Sequence, residues 1–377
     1  MASTRDVAIV GAGIIGCSIA FELAKAGMQV CVLERGGIGE ESSAAAAGML
    51  SGQHGVTNLG DRYQLHVEAR ELHGRLADDL RERTGIDVGF CRWGLLELLF
   101  TAAELRAADR CHAIQTQAGL RVERLSREET LALEPALTPD LQGSICYADE
   151  AHVHNGRLTI ALAEAARRSG AELRSGAPIL ALIRERERVV GVQTPTEAVY
   201  AEAVIVANGA WSSDLIRPLG LRLPVKPMRG QMLAVRTVPR AVSQIIYGRH
   251  MYLVPRPDGE TLIGATVEDV GFCKEVTLEG LEELIQAGRH IAPGMMGQPV
   301  IRSWAGLRPG SPDGLPLVGP VTGLPGLILA VGHHRNGILL GPMTGVLLKQ
   351  WLVDHVQSPH LDLLRPERFP LHGPVEP

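Results

Sequence analysis

The most constraining feature of the sequence is a glycine motif placed between a short apolar run and a helix-like segment. The run Val7–Val10 is β-prone, the motif Gly11–Gly16 follows it, and residues Cys17 to Ala26 have helical character. A second apolar run, Val30–Leu33, ends on an acid, Glu34. Strand, G-x-G-x-x-G turn, helix and acid-terminated strand is the order of a dinucleotide-binding βαβ unit. The alternative is a glycine-rich turn in an unrelated α/β protein.

Each position of the motif has a physical role. Gly11 allows the tight turn, Gly13 lets the backbone approach a pyrophosphate, and Gly16 allows the helix to pack closely on the strand. The helix N-terminus presents free N–H groups to phosphate oxygens. The carboxylate of Glu34 would accept ribose hydroxyls and repel a 2′-phosphate. We therefore expect a dinucleotide to contact Gly11, Gly13, Ile14, Ile15, Gly16, Glu34 and Arg35.

The charge balance argues against nucleic acid as a partner. Lys and Arg number 37 against 42 Asp and Glu, which gives a net charge of −5, and aromatic residues make up only 4%. Nucleic-acid surfaces need a basic excess and aromatic rings for stacking on bases. No run approaches the roughly 18 apolar residues of a membrane span. The first residues lack a signal-peptide pattern, so we expect a cytoplasmic protein with no membrane partner.

Metal binding is not expected from the cysteine and histidine pattern. The six cysteines are widely spaced and form no C-x-x-C pair, which is not typical of a zinc or redox-dithiol site. His333 and His334 are adjacent, and neighbouring side chains in a strand point to opposite faces.

The distribution of the predicted elements indicates two domains. Further βαβ-like pieces occur near Ala203–Trp211 and in the C-terminal region, whereas the stretches between them are rich in short strands with Gly and Pro turns. This arrangement is typical of a nucleotide-binding domain interrupted by an insertion. The predicted FAD- or NAD-binding part comprises 1–85, 145–222 and 303–377, and the predicted substrate domain comprises 86–144 and 223–302.

A resemblance to a known family follows from several motifs together. After the acid, Glu41–Leu50 is rich in small and hydroxyl side chains, which would let a loop press against an extended cofactor; alone, it could equally be an Ala-rich helix or surface loop. With the glycine motif and Glu34, this stretch resembles the N-terminal FAD signature of the D-amino-acid oxidase family. Ala203–Trp211 resembles the second flavin-fold strand of that family, and Gly332–Leu340 resembles its segment closing over the isoalloxazine.

The similarity is strongest to the glycine-oxidising members and covers essentially the whole chain. It includes His250–Arg256, Gly264–Thr266 and Trp304–Gly310. The implied fold is α/β plus α+β, a glutathione-reductase-type FAD domain with an inserted antiparallel-sheet substrate domain. Residues 304–312 lack the cysteine that binds flavin covalently in monomeric sarcosine oxidase, so non-covalent FAD is expected. Val267 replaces a Met of the glycine-oxidising pattern, which leaves the fine substrate preference open.

The resemblance also implies the site residues. Arg308 would bind the substrate carboxylate bidentately, Tyr252 would add a hydrogen bond, and Arg335 and His250 would complete the pocket. Taken alone, Arg308 could be a surface residue and Tyr252 a core residue. No side chain is expected to act as an acid or base. The remaining flavin contacts implied are Ser42, Ser43, Ala47, Gly48, Met49, Ile179, His333, Arg335, Asn336, Gly337, Ile338 and Leu339.

The implied activity is the FAD-dependent oxidation of glycine and other small amines such as sarcosine and small D-amino acids. Hydride would pass from the substrate Cα to flavin N5, O2 would reoxidise the flavin to give H2O2, and the imine would hydrolyse to glyoxylate or another 2-oxo acid and ammonia. The resemblance further implies a role in thiamine thiazole biosynthesis and a homotetramer.

Four alternatives remain open from the sequence. These are a D-amino-acid oxidase or dehydrogenase, a sarcosine oxidase, a tRNA-modifying flavin module and a non-enzymatic binding module. The net charge of −5 disfavours the tRNA-modifying module. The preferred amine, the oligomeric state, the pathway and the electron acceptor are not predicted by the sequence.

Overall fold

The computed structural model describes residues 4–371, which form two eight-stranded sheets and a two-stranded ribbon. The strands are β1 Arg5–Val10, β2 Val30–Leu33, β3 Met49–Leu50, β4 Leu95–Leu99, β5 Val122–Ser126, β6 Gly143–Tyr147, β7 Ala151–His152, β8 Glu172–Arg174, β9 Ala181–Glu185, β10 Arg188–Gln193, β11 Ala198–Val206, β12 Lys226–Arg236, β13 Ile245–Gly248, β14 Met251–Pro255, β15 Glu260–Gly264, β16 Val300–Gly310, β17 Leu317–Pro320 and β18 Leu327–Val331. The α-helices are α1 Ile14–Lys25, α2 Ser42–Ala45, α3 Asp61–Thr84, α4 Ala102–Gln117, α5 Arg127–Leu133, α6 Asn155–Arg168, α7 Ser212–Ile216, α8 Leu278–Ile291, α9 Gly337–Leu352 and α10 Pro359–Leu364.

The first sheet contains the predicted βαβ unit. Its order is β17-β18-β11-β1-β2-β8, with β9 and β10 attached to β11. Strands β1, β2, β8, β11 and β18 pair in parallel. All four residues of β2 are buried, as expected where layers cover both faces of a parallel sheet. Helices α1, α3, α6 and α9 form the apolar layer on one of these faces.

Helix α1 approaches β1 so closely that its third motif glycine has no room for a side chain. A Cβ on Gly16 would lie 1.9 Å from the carbonyl oxygen of Gly11. Gly11 itself has a φ of 102°, a conformation that favours glycine. The first and third glycines of the motif are therefore required by the packing of the helix on the strand.

The second sheet is antiparallel except at one pair of strands. Its order is β16-β12-β15-β14-β13-β4-β6-β5, and only β13 and β4 pair in parallel among these neighbours. Helix α8 packs against it through Leu284 and Ile291, which join Leu233, Leu253 and Ile263 in one apolar cluster. A mixed first sheet and an antiparallel second sheet confirm the predicted fold class.

Smaller sequence predictions can be compared directly with the structure. The predicted long helix of about 61–83 is α3, and Ser126 caps α5 in a reciprocal capping box with Glu129.

The two-domain division stays a prediction, and its proposed edges at 144/145 and 302/303 fall within β6 and β16, both of which lie in the second sheet. Residues 1–3 and 372–377 of that division lie outside the described residues. Within 4–371, no helix is both long and apolar enough to cross a bilayer.

Candidate active site

A cavity of about 590 Å³ is lined by residues of both sheets. The glycine motif, the loop after β2 and the turn before α9 contribute one end of its lining. Strands β12, β13, β14 and β16 and the residues that follow β15 contribute the other end. We call these the cofactor end and the substrate end.

At the cofactor end, the N-terminus of α1 is open toward a ligand. Its N-cap, Gly13, makes no side-chain capping hydrogen bond, in contrast to α4, α5, α6, α8 and α10, which side chains cap. The N–H of Ile14 donates to Ser43 Oγ at 2.9 Å. The first turn of a helix carries N–H groups without intrahelical partners and a partial positive charge. This end of α1 therefore suits a phosphate.

The acid at the end of β2 is fixed by main-chain donors. Glu34 Oε2 accepts from the N–H of Ala12 at 2.8 Å, and Oε1 accepts from Gly36 at 2.9 Å. Next to it, the Arg35 guanidinium lies 3.7 Å from the ring centroid of Trp211 and pairs with Glu41 at 3.0 Å. The carboxylate is thus oriented beside the glycine turn, where a ribose would lie.

The small-residue loop is held against the cavity by a buried arginine from the second sheet. Gly48 has a φ of 76°, and a Cβ there would lie 2.1 Å from the carbonyl oxygen of Val153. Arg256 donates to the carbonyl oxygens of Ala47, at 2.6 Å, and of Val153. Burial lowers the pKa of Arg256 to about 10. Main-chain carbonyls, with the Asn155 side chain, solvate this guanidinium.

The turn before α9 presents a second uncapped helix N-terminus to the same cavity. Asn336, the N-cap of α9, makes no side-chain capping bond. Asn336, Gly337 and Ile338 all line the cavity. His333 is buried behind them, 3.0 Å from Thr344 Oγ1, and burial lowers its pKa to about 3. A neutral imidazole therefore supports a turn whose N–H groups can face a developing negative charge.

At the substrate end, one residue from each of six strands lines up across the second sheet. The pairings are direct from strand to strand, so the side chains share one face. We call this set the cross-sheet row: Trp304 on β16, Met232 on β12, Gly264 on β15, Tyr252 on β14, Tyr247 on β13 and Glu97 on β4.

Arg308 lies beside this row because neighbouring glycines leave room for it. A Cβ on Gly230 would lie 2.1 Å from Arg308 Nη1. The guanidinium donates to the carbonyl oxygen of Thr266 at 3.0 Å. Burial lowers the pKa of Arg308, and the neighbouring Tyr252 opposes that shift. Burial raises the pKa of the Tyr252 phenol, which Arg308 in turn lowers. The neutral Tyr252 hydroxyl and the positively charged Arg308 guanidinium can therefore bind a carboxylate together.

The structure brings most of the predicted site residues to this cavity. Two do not line it: Gly16 lies behind the turn, and Leu339 offers its carbonyl to His73 Nε2 at 3.1 Å. The residues lining it as predicted are Gly11, Gly13, Ile14, Ile15, Glu34, Arg35, Ser42, Ser43, Ala47, Gly48, Met49, Ile179, His250, Tyr252, Arg308, His333, Arg335, Asn336, Gly337 and Ile338.

Sequence reasoning missed several lining residues. Trp211 was within a recognised strand segment, but nothing indicated that Arg35 would cover its ring. Tyr247, Met232 and His54 also line the cavity. The position of Tyr247 follows from its register opposite Tyr252, which no local pattern reveals.

The residues present fit a bound FAD. The glycine cradle leaves no room for side chains, two uncapped helix N-termini face one elongated cavity, and a fixed carboxylate stands at the ribose position. No cysteine is among the described residues that line the cavity. Within 4–371, no group of three or more His, Cys, Asp or Glu side chains is placed to hold a metal ion.

Comparison with known proteins agrees with this geometry. Residues 6–351 match the family described as FAD dependent oxidoreductase (DAO). The chain is 37% identical over 350 residues to the glycine oxidase of Geobacillus kaustophilus, covering 92% of this chain and 93% of that one. It is 35% identical over 366 residues to a bifunctional protein ThiO/ThiG of Nostoc sp., covering 95% of this chain but only 54% of that relative.

A solved structure has the same fold. The crystal structure of glycine oxidase from Geobacillus kaustophilus superposes with a TM-score of 0.90 at 36% identity, over 94% of this chain and 96% of that one. The motif resemblance, the cavity and these matches agree. The chain belongs to the DAO family of FAD-dependent oxidoreductases and is an FAD-dependent amino-acid oxidase.

Proposed function

We propose that the protein oxidises glycine and other small primary and secondary amines, with O2 as the electron acceptor. The observation that carries this proposal is the half-buried Arg308–Tyr252 pair, which lines the same cavity as the two uncapped helix N-termini. A guanidinium with an adjacent phenol suits a carboxylate. The glycine oxidase names of relatives over 90% of the chain support the same substrate class.

The residues of the chain would bind and orient the substrate. Arg308 and Tyr252 would hold the carboxylate, and Met232 and Tyr247, which line the cavity, would limit the space around Cα, so that the reacting bond is aligned before reaction. When bound, FAD would supply the redox chemistry that oxidises the amine and reduces O2 to H2O2. The N-terminus of α9 would stabilise negative charge facing Gly337 and Ile338.

We further propose a link to thiamine thiazole biosynthesis. The relation to a bifunctional ThiO/ThiG protein supports it, and the chain spans about half of that relative. The homotetramer, the cytoplasmic location, the absence of nucleic-acid and membrane partners and the discontinuous domain division stay predictions. Arg335 and His250 line the cavity beside the carboxylate pair, and we propose that they complete the substrate pocket.

The deciding experiment is an assay of peroxide release by the purified holoenzyme with glycine, sarcosine, D-alanine and D-proline. We expect yellow protein that loses FAD on acid or heat treatment and releases peroxide with glycine. Flavin-loaded protein that produces no peroxide with any of the four amines would overturn the proposal. Anaerobic bleaching by an amine without aerobic peroxide would indicate the dehydrogenase alternative.

A further inference from the structure

We propose that His54 accepts the proton that the substrate ammonium loses before oxidation, and that Glu97 stabilises the imidazolium. This inference rests on the proposed amine oxidation. It differs from the sequence prediction that no side chain acts as a base. His54 is a loop residue that lines the cavity.

The loop carrying His54 is fixed by a buried carboxylate. Glu150, which is fully buried, accepts the N–H groups of Gly52 at 2.9 Å, Gln53 at 2.6 Å and His54 at 2.9 Å. Arg70, also buried, lies 3.7 Å from the same carboxylate. Three main-chain donors on one buried acid hold the backbone in a single conformation. The His54 ring is therefore pre-positioned.

The ring of His54 lies between the Tyr247 ring and the Glu97 carboxylate. Its centroid is 4.2 Å from that of Tyr247, and its Nε2 is 3.7 Å from Glu97 Oε2. Glu97 is oriented in turn by the hydroxyl of Tyr147, which donates to it at 3.0 Å. An imidazole backed by an oriented carboxylate is the arrangement in which histidine takes up a proton readily.

The cross-sheet row brings this pair within reach of the substrate amine. Tyr252, Tyr247 and Glu97 are direct neighbours on three adjacent strands. Strands lie about 4.8 Å apart, so the backbone of Glu97 is about 10 Å from that of Tyr252. The rings of Tyr247 and His54 are in contact and line the same cavity as Tyr252. A carboxylate held by Arg308 and Tyr252 thus places its amine near His54, directly or through one water.

The proton balance is simple. An N–H bond of the bound ammonium breaks, its electron pair stays on the substrate nitrogen, and an N–H bond forms at Nδ1 of His54. That nitrogen has no hydrogen-bond partner among the described residues, while Nε2 faces Glu97. The side chain is 17% exposed, so the proton can then pass to solvent. No oxidant or reductant takes part in this step.

The charged and aromatic groups around His54 affect how well its ring can accept the substrate proton. Glu97 on β4 favours the charged ring, and Tyr147 on β6 and Tyr247 on β13 are neutral neighbours. Glu150 is paired with Arg70 and accepts a hydrogen bond from the main chain of His54. Arg335 acts on Tyr247 from the other side and opposes positive charge. His54 must be neutral to accept the proton.

The first test is anaerobic flavin reduction by glycine in His54→Ala holoenzyme, measured by stopped flow from pH 6 to 9. We expect a decrease of about a hundredfold at neutral pH, the lower end for general acid–base catalysis. Added imidazole should restore part of the rate. His290→Ala, on the exposed face of α8, is the matched control and should behave as wild type.

Two further measurements separate a proton acceptor from a packing residue. Binding of acetate, a carboxylate without an amine, is followed by the flavin spectrum and should change less than twofold in His54→Ala. Glu97→Gln should slow flavin reduction without weakening acetate binding, because the imidazolium formed in the reaction loses its partner. An unchanged rate and pH profile in His54→Ala overturns the inference. So does a slow variant that loses acetate binding and is not rescued by imidazole. If wild type itself oxidises no amine, the proposed function fails instead.

Discussion

The cofactor end of the cavity is formed mainly by main-chain groups, whereas the substrate end is formed mainly by side chains. At the cofactor end, the chain offers main-chain N–H groups, two helix N-termini and glycines with no room for a Cβ. At the substrate end, it offers a row of residues from six strands aligned by register, five of which carry side chains. The first site is encoded within a short stretch of chain, and the second exists only once distant strands have paired.

The two ends should therefore fail in different ways. A site made of backbone is sensitive to any added atom, since no side chain can move aside. A site made of side chains tolerates small shifts, but it depends on the empty positions that let its long residues lie flat, such as Gly230 and Gly264. Each of the following changes tests this contrast.

The largest effect is expected for Gly16→Ala at the cofactor end. The new Cβ would lie 1.9 Å from the backbone oxygen of Gly11, so α1 must move off β1. We expect purified protein without FAD absorbance and a loss of about 3 kcal/mol in the free energy of unfolding, the upper end for overpacking. Gly297→Ala, where a Cβ meets nothing within 4 Å, is the control. A yellow Gly16→Ala protein with wild-type melting would contradict the backbone argument.

The next largest effect is expected for Arg308→Ala at the substrate end. Loss of a charged hydrogen bond of about 1.5–3 kcal/mol should raise KM for glycine about ten- to 150-fold, with FAD retained. Gly230→Ala should act in the same direction but less strongly, because the guanidinium can shift. Gly74→Ala, whose Cβ would make ordinary contact at 3.7 Å, is the control. Steady-state kinetics with flavin content checks both, and an unchanged KM in Arg308→Ala would remove that residue from the site.

A smaller effect is expected for Glu34→Ala. The carboxylate is one contact among many at the cofactor end, so we expect FAD to bind about tenfold more weakly, while KM for glycine stays unchanged once FAD is saturating. Titration of apoprotein with FAD, followed by fluorescence, measures the change. Equal affinity in variant and wild type would count against the ribose role of Glu34.

A separate prediction concerns the pH dependence of stability and rests on two buried histidines, His333 and His152. Burial lowers the pKa of His333 at the cofactor end to about 3, and burial with Arg256 lowers that of His152 to about 3. Both are neutral in the folded state, whereas the unfolded chain binds protons below about pH 6.5. Stability is therefore full above that pH and falls as pH drops toward 3, by up to about 1.4 kcal/mol per pH unit per histidine. Urea unfolding at pH 7 and pH 5 measures the slope, which His333→Asn should reduce; a flat profile would contradict it.

The sequence predicted the cofactor end far better than the substrate end. Gly11, Gly13 and Glu34 belong to one local pattern, so their joint position follows from a strand, a turn and a helix. Tyr247 enters the site, and Glu97 lies next to it, only through pairing between β14, β13 and β4, and register is a property of the folded sheet. His54 depends on a buried acid nearly a hundred residues away. The proposed domain edges, which stay a prediction, fall within β6 and β16, and no local pattern indicates that these strands pair in one sheet, because the partners of a strand can lie far along the chain.

Arg256 connects the second sheet to the main chain at the cofactor end. It leaves the end of β14 and binds the carbonyl oxygens of Ala47 and Val153 beside the cofactor. Without the second sheet, those carbonyls would lose their donor; without the loop, a buried charge would lose its solvation, which is strongly destabilising. The second sheet and the loop that carries Ala47 therefore reach their native conformations together. Folding of the cavity is thus cooperative across the whole chain, and co-expressed fragments cut between β14 and β15 would have to reassociate before either bound its ligand.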